Sequence, residues 1–145
     1  MLLIEREFNL NQINEIIELL FLYINSNSIL LLNGEIGSGK TTFIKYLLEK
    51  FGISKNEVES PTYNILIQYK AKLNQIPVII NHYDLYRIDK GDINSIDLYE
   101  NLSNSISIIE WSENKLDITY FKKNIINIYL IYVDDITRRI KIFAS

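Results

Sequence analysis

The chain is 145 residues long, the size of one domain with its own core, and its 48% hydrophobic and 23% charged content is that of an ordinary soluble globular protein. A net charge of −3 offers no basic face for tight direct binding of DNA or RNA, and the absence of cysteine removes disulfides, thiol catalysis and thiolate metal sites. Acidic residues at Glu5 and Glu7 stand where a signal peptide carries its apolar core, and no apolar run is long enough to span a bilayer, so no membrane association and a cytoplasmic location are expected.

Leu2 to Phe8 alternates loosely and predicts a first strand. Asn9 or Asn11 is placed to cap a helix, whose apolar face is Ile13, Ile16, Ile17, Leu20, Phe21 and Ile24. The polar run 25–28 ends it. Ile29-Leu30-Leu31-Leu32 then reads as a buried strand, and Phe43 to Phe51 as a helix that stops at Gly52. Ile53 to Ser60 is turn-like and Pro61 punctuates it. Tyr63 to Tyr69 and Val78 to His82 predict two strands of a hairpin joined by the polar stretch Lys70 to Ile76. Asp92 to Leu102 predicts a short helix capped by Asp92, and Ile106 to Ile109 a compact strand ending at Glu110. A last strand pair, Asn124 to Val133 and Thr137 to Phe143, turns at Asp134-Asp135, with Arg138, Arg139 and Lys141 on an outward face. No repeat or linker divides residues 1–145.

Between the second strand and the second helix lies Gly34-Glu35-Ile36-Gly37-Ser38-Gly39-Lys40-Thr41, the phosphate-loop pattern G-x-x-x-x-G-K-T in the strand–loop–helix setting that it needs. Glycines let backbone wrap an anion in conformations that a Cβ resists, and the loop N–H groups and helix N-terminus point at the phosphates. Glu35 to Thr42 are therefore the expected nucleotide contacts. Lys40 supplies charge to the β and γ phosphates, and Thr41 a hydroxyl for Mg²⁺. The fold expected is α/β: one P-loop NTPase domain with a mixed parallel and antiparallel sheet flanked by helices.

Hydrolysis also needs a carboxylate near the metal and a group to place water, and in open α/β sheets such groups sit at the C-terminal ends of strands. Asp84 and Glu110 both qualify. Asp84 reads equally well as a turn residue. Glu110, directly after a buried strand, is costly there unless it is paired or faces a metal. Which of the two holds Mg²⁺ and which places water stays open. Trp111 is a core or rim aromatic with a possible face toward nucleotide. His82, the only histidine, reads as a hydrogen-bonded structural residue, and Ser60 has no triad around it. Arg87 suits either a phosphate or solvent. The tyrosines at 63, 69, 83 and 86 suggest packing.

The ordered set Gly34 to Thr42, Ser60-Pro61-Thr62-Tyr63, His82-Tyr83-Asp84-Leu85-Tyr86-Arg87 and Glu110-Trp111 resembles the bacterial TsaE (YjeE) family, small ATPases of tRNA threonylcarbamoyladenosine biosynthesis. The resemblance runs from the first helix to Trp111. It implies ATP and Mg²⁺ at Lys40 and Thr41, with Asp84 and Glu110 as the acids of the site. It also implies a switch-like Thr62 near the γ-phosphate, and Trp111 beside the nucleotide. Family members hydrolyse ATP weakly alone and act with the TsaB–TsaD threonylcarbamoyl-transferase complex, so tRNA is met only through those partners. Two positions depart from the family pattern. Ser112 stands where proline is frequent, and Leu98 to Leu102 lacks a glycine often found there. A small-molecule or nucleoside kinase shares the phosphate loop, but the chain has four arginines (Arg6, Arg87, Arg138 and Arg139) and no evident lid. A nucleotide-gated binding module is the third class.

Overall fold

The computed structural model describes residues 1–117, 121 and 123–145. Seven strands form one sheet: β1 (Leu2–Phe8), β2 (Ser28–Asn33), β3 (Leu66–Leu73), β4 (Ile76–Asp84), β5 (Ile106–Glu110), β6 (Asn124–Tyr132) and β7 (Arg138–Ala144). Their spatial order is β1-β7-β6-β2-β5-β4-β3. The central strands β6, β2, β5 and β4 run parallel, while β3 and β7 flank them antiparallel and β1 pairs antiparallel with β7 at the edge. The mixed sheet expected from the sequence is thus present.

Two helices, α1 (Ile13–Phe21) and α2 (Lys40–Lys50), pack on one face, where Ile16, Leu20, Phe43, Ile44, Leu47 and Leu48 meet Leu30, Leu32, Ile108 and Ile128. A smaller cluster on the other face joins Ile29, Leu31, Tyr83 and Ile109 to Ile93, Leu98 and Leu102. Burial on both faces explains why β2 and β5 are continuous apolar runs rather than alternating ones. Asn9 does cap the start of the first helical segment. Its side chain accepts from Asn11 N at 3.0 Å and Gln12 Oε1 accepts from Asn9 N at 3.0 Å, a reciprocal box closing a 3-10 turn at Leu10–Gln12.

Two expectations need correction. The stretch from Lys70 to Ile76 is not a polar connection. Lys70 and Lys72 face solvent while Ala71 and Leu73 turn inward, a period of two that carries both strands to a two-residue turn. That turn is Asn74-Gln75, with φ of 50° and 69°, the handedness a tight hairpin demands. Tyr63 belongs to the turn before β3, which begins only after Ile65 (φ 65°). Likewise the predicted helix from Asp92 to Leu102 is broken. A 3-10 segment, Lys90–Ile96, gives way at left-handed Asp97 (φ 51°) to the short α3, Leu98–Asn101, and Asp92 caps neither. The kink lets Ile93, Leu98 and Leu102 all reach the second core, which one straight helix of that length would not. Among the described residues no helix is long and apolar enough to cross a membrane.

Candidate functional site

The parallel arrangement brings the ends of β2, β4 and β5 together. Leu32, one residue before the end of β2, pairs with Glu110, the last residue of β5, and Glu110 pairs with Asp84, the last of β4. The phosphate loop rises directly from β2. Gly34 has no room for a side chain, since an added Cβ would lie 2.7 Å from Leu130 O. Gly39 has φ 101°, a conformation open chiefly to glycine, and α2 starts from it. The first intrahelical bond of α2 is Phe43 N to Gly39 O at 2.9 Å, so the N–H groups of Lys40, Thr41 and Thr42 belong to the helix's unpaired first turn. They form the positive end of the helix dipole.

A cleft of about 540 Å³ opens over this loop, and Glu35, Ile36, Gly37, Gly39, Lys40, Thr41, Thr42, Ser60, Thr62, Asp84, Tyr86, Glu110, Trp111 and Arg138 line it. The residues singled out from the sequence are therefore brought to one place, with Ser38 buried behind the loop (2% exposed). Lys40, Asp84 and Glu110 are buried at 7%, 6% and 6% exposure. Lys40 donates to the carbonyl oxygens of Gly34 and, at 3.2 Å, of Glu35. Its ammonium also lies 4.1 Å from the centroid of the Trp111 ring. Burial draws the Lys40 pKa below its usual value, while Glu110, Asp84 and Glu35 hold it up.

The two carboxylates are held differently. Asp84 Oδ2 accepts from Thr62 Oγ1 at 2.9 Å and Oδ1 from the backbone N–H of Tyr86 at 2.9 Å, so each oxygen has a partner. The Thr62 hydroxyl is also 2.7 Å from Ser60 Oγ. The loop 60–65 is fixed by Ile65 N to Pro61 O at 2.6 Å and by Asp84 N to Ile65 O at 2.9 Å, which seats Thr62 against β4. Glu110 Oε2 pairs with His82 Nε2 at 2.9 Å, and among the described residues its Oε1 accepts no hydrogen bond. His82 (3% exposed) is thus a buried, hydrogen-bonded neighbour of Glu110. Immediately after Glu110 the chain turns through Trp111 at φ 60°, an unusual value for a large side chain, and Ser112 O receives the Lys115 and Leu116 N–H groups at 3.1 and 3.3 Å. The strand exit at Ser112 is therefore a compact turn without proline.

Among the described residues no group of three His, Cys, Asp or Glu side chains converges to cage a metal. Two carboxylates and a threonine hydroxyl are instead the hard, incomplete oxygen set that suits Mg²⁺, which keeps waters and shares phosphate oxygens. The lining of the cleft fits that ion and a polyphosphate.

Three residues play parts the sequence did not disclose. Arg138, expected on an outward strand face, turns to the loop and donates to Ser38 O at 3.0 Å. Nothing local signals a contact across 100 positions. Tyr86, expected to pack, is 53% exposed at the cleft rim with its ring 4.9 Å from that of Trp111, whereas Tyr83 is fully buried as expected. Ser60 lines the cleft and touches Thr62, and only its place as the first residue of the motif S-P-T-Y hinted at this. Arg87 stacks over Tyr63 (4.2 Å) and is not among the residues lining the cleft.

A family model described as "Threonylcarbamoyl adenosine biosynthesis protein TsaE" matches residues 8–140, which take in strands β2 to β6 and all of this site. The chain belongs to the TsaE family. A TsaE of Haemophilus influenzae is 34% identical over 129 residues, covering 88% of this chain and 77% of that protein. TsaE proteins of Rickettsia conorii and Rickettsia felis are 38% and 35% identical over 91 and 106 residues, covering 62% and 72% of this chain. The matched regions span 50% and 60% of those two Rickettsia proteins. All three relatives carry the name tRNA threonylcarbamoyladenosine biosynthesis protein TsaE. Among solved structures, Bacillus subtilis YdiB superposes on 99% of the chain and 87% of its own length with a TM-score of 0.65 at 20% identity, which supports the fold.

Proposed function

We propose that this TsaE-family chain is a Mg²⁺-dependent ATPase whose hydrolysis supports turnover of the TsaB–TsaD threonylcarbamoyl-transferase complex in tRNA modification. The observation that carries the reading is the register of Asp84 and Glu110 at neighbouring strand ends, in the same cleft as Lys40 and Thr41. Two buried carboxylates beside the phosphate lysine need a reason to be there, and a metal site together with a place for the attacking water supplies one for each. The relatives' shared name supplies the pathway.

In this reading the loop N–H groups and Lys40 bind the phosphates, and Lys40 exchanges the Gly34 and Glu35 carbonyls for phosphate oxygens as it does so. Thr41 and Glu110 would hold the metal, with His82 fixing one oxygen of the glutamate. Mg²⁺, when bound, offsets charge that develops on the β and γ phosphates. Asp84, steadied by Thr62 and the Tyr86 amide, orients the attacking water. Trp111 shields Lys40 from bulk water, which strengthens its attraction for phosphate.

The test is phosphate release from Mg–ATP with and without the TsaB–TsaD pair of the same organism, with Lys40→Ala as the blank. Strong stimulation by the pair, absent from the variant, is expected. Release that is indifferent to the pair would remove the partner assignment. Transfer of the γ-phosphate to a nucleoside would replace the reading with a kinase.

A further inference from the structure

Arg138 opens β7 and lies 100 positions beyond the loop it touches. Its Nε donates to Ser38 O at 3.0 Å and its Nη2 to Gly37 O at 3.4 Å. On its other side Nη1 donates to Asp134 O at 2.6 Å and Thr137 O at 3.0 Å, across its own turn. Its guanidinium carbon sits 4.8 Å from the Tyr132 ring centroid. Among the described residues no carboxylate forms an ion pair with it. The charge is spent on backbone carbonyls, and a planar fork reaches four of them where a lysine would not.

The carbonyls it holds belong to the peptides joining Gly37 to Ser38 and Ser38 to Gly39. In a trans peptide the N–H points opposite to the C=O, so a carbonyl fixed toward Arg138 sends the paired N–H the other way. For the Ser38–Gly39 unit that N–H is the Gly39 amide. Gly37 and Gly39 both have positive φ (85° and 101°) and no Cβ, so these peptides have the least intrinsic resistance to flipping. We propose that Arg138 is a positioning residue for the phosphate loop, holding the peptides of Gly37 to Gly39 in the orientation that presents the Gly39 N–H to phosphate. The proposal rests on the nucleotide reading above and assigns the C-terminal hairpin a share in that site.

Two readouts on the full chain test it, with Arg138→Ala and Arg138→Lys. The first needs no nucleotide. Amide hydrogen exchange at Ser38, whose N–H is bonded to Glu35 O at 3.1 Å, is expected to speed up about tenfold in Arg138→Ala, the factor that loss of a charged hydrogen bond gives. The Leu47 and Leu48 amides in α2 should exchange as in the wild type. The second is affinity. Mg–ATP and Mg–ADP are expected to weaken by the same factor with kcat nearly unchanged, and Arg138→Lys, which keeps the charge but loses the fork, should recover little. An unchanged Ser38 amide would overturn the proposal. So would faster exchange confined to β6 and β7, and so would an ATP-only loss with lowered kcat, the mark of an arginine acting on the γ-phosphate itself. Should Arg138→Ala fail to fold, Arg138→Lys carries the same exchange test. If wild-type protein binds neither nucleotide, the nucleotide reading falls while the exchange result still decides the brace.

Discussion

Asp84 and Glu110 occupy partnered positions at the ends of parallel neighbours β4 and β5, yet one has both oxygens engaged and the other only one. Two buried carboxylates so placed repel each other unless a cation lies between them. Lys40 meets part of that need, and a bound divalent ion would meet the rest.

The asymmetry makes the two acids separable. Glu110→Gln should cut hydrolysis about a hundredfold or more and raise the Mg²⁺ concentration needed for half-maximal rate, while ATP affinity changes much less. Asp84→Asn should lower the rate comparably and leave the metal dependence where it was. Phosphate release across a Mg²⁺ titration distinguishes them. Equal loss of binding and hydrolysis in both variants would make the carboxylates structural.

Thr62→Val keeps the side chain's shape but withdraws the hydroxyl that Asp84 Oδ2 accepts, a bond worth about 1.5 kcal/mol or more because the acceptor is charged. A fall in kcat of about tenfold with little change in KM is expected. A raised KM at constant kcat would place Thr62 on the nucleotide instead.

Trp111 is the only tryptophan, and its ring carries Lys40 4.1 Å from its centroid. Nucleotide binding that draws Lys40 to phosphate must change the ring's surroundings, so intrinsic fluorescence should shift on adding ATP and stay flat in Lys40→Ala. Trp111→Leu, which lets bulk water reach Lys40, is expected to weaken nucleotide binding about threefold to tenfold, because the lysine then attracts phosphate through a higher dielectric.

Burial pushes the Tyr83 hydroxyl from 10.0 up to about 12. A group with a raised folded pKa keeps its stability below the unfolded value and loses it as pH climbs through the folded one, here between pH 10 and about 12. Urea midpoints of wild type and Tyr83→Phe, compared from pH 9 to pH 12, should therefore diverge. The variant gains about 1.4 kcal/mol on the wild type for each pH unit of that window. Parallel curves would mean that the hydroxyl is not held neutral.

Much of this was legible in the residues because the signals were local. The glycines and lysine of the loop, the apolar run of β2 and the turn at Asp134-Asp135 each declare themselves within a few positions. Glu110 stands out in the sequence because a carboxylate at the end of a buried strand needs a reason to be there, whereas Asp84 reads equally well as a turn residue until its register beside Glu110 is seen. What stayed hidden depends on distance or on competition. The contact of Arg138 with Ser38 crosses most of the chain, and no local pattern records it. The break at Asp97 reflects three apolar side chains reaching one core, a tertiary demand that overrides helical spacing. The lengths of β3 and β4 were missed because lysines on an edge strand look like a loop until their alternation is counted.

The place of β2 in the sheet also sets a schedule. Both of its neighbours, β5 and β6, come from the second half of the chain, and the brace from Arg138 comes later still. During synthesis, then, the phosphate-loop segment is made early but stays without a frame until nearly a hundred further residues have been added. A ribosome-bound chain stopped before residue 106 holds the full loop sequence and should still fail to retain nucleotide. Competence arrives late and nearly all at once, as the long-range pairings close.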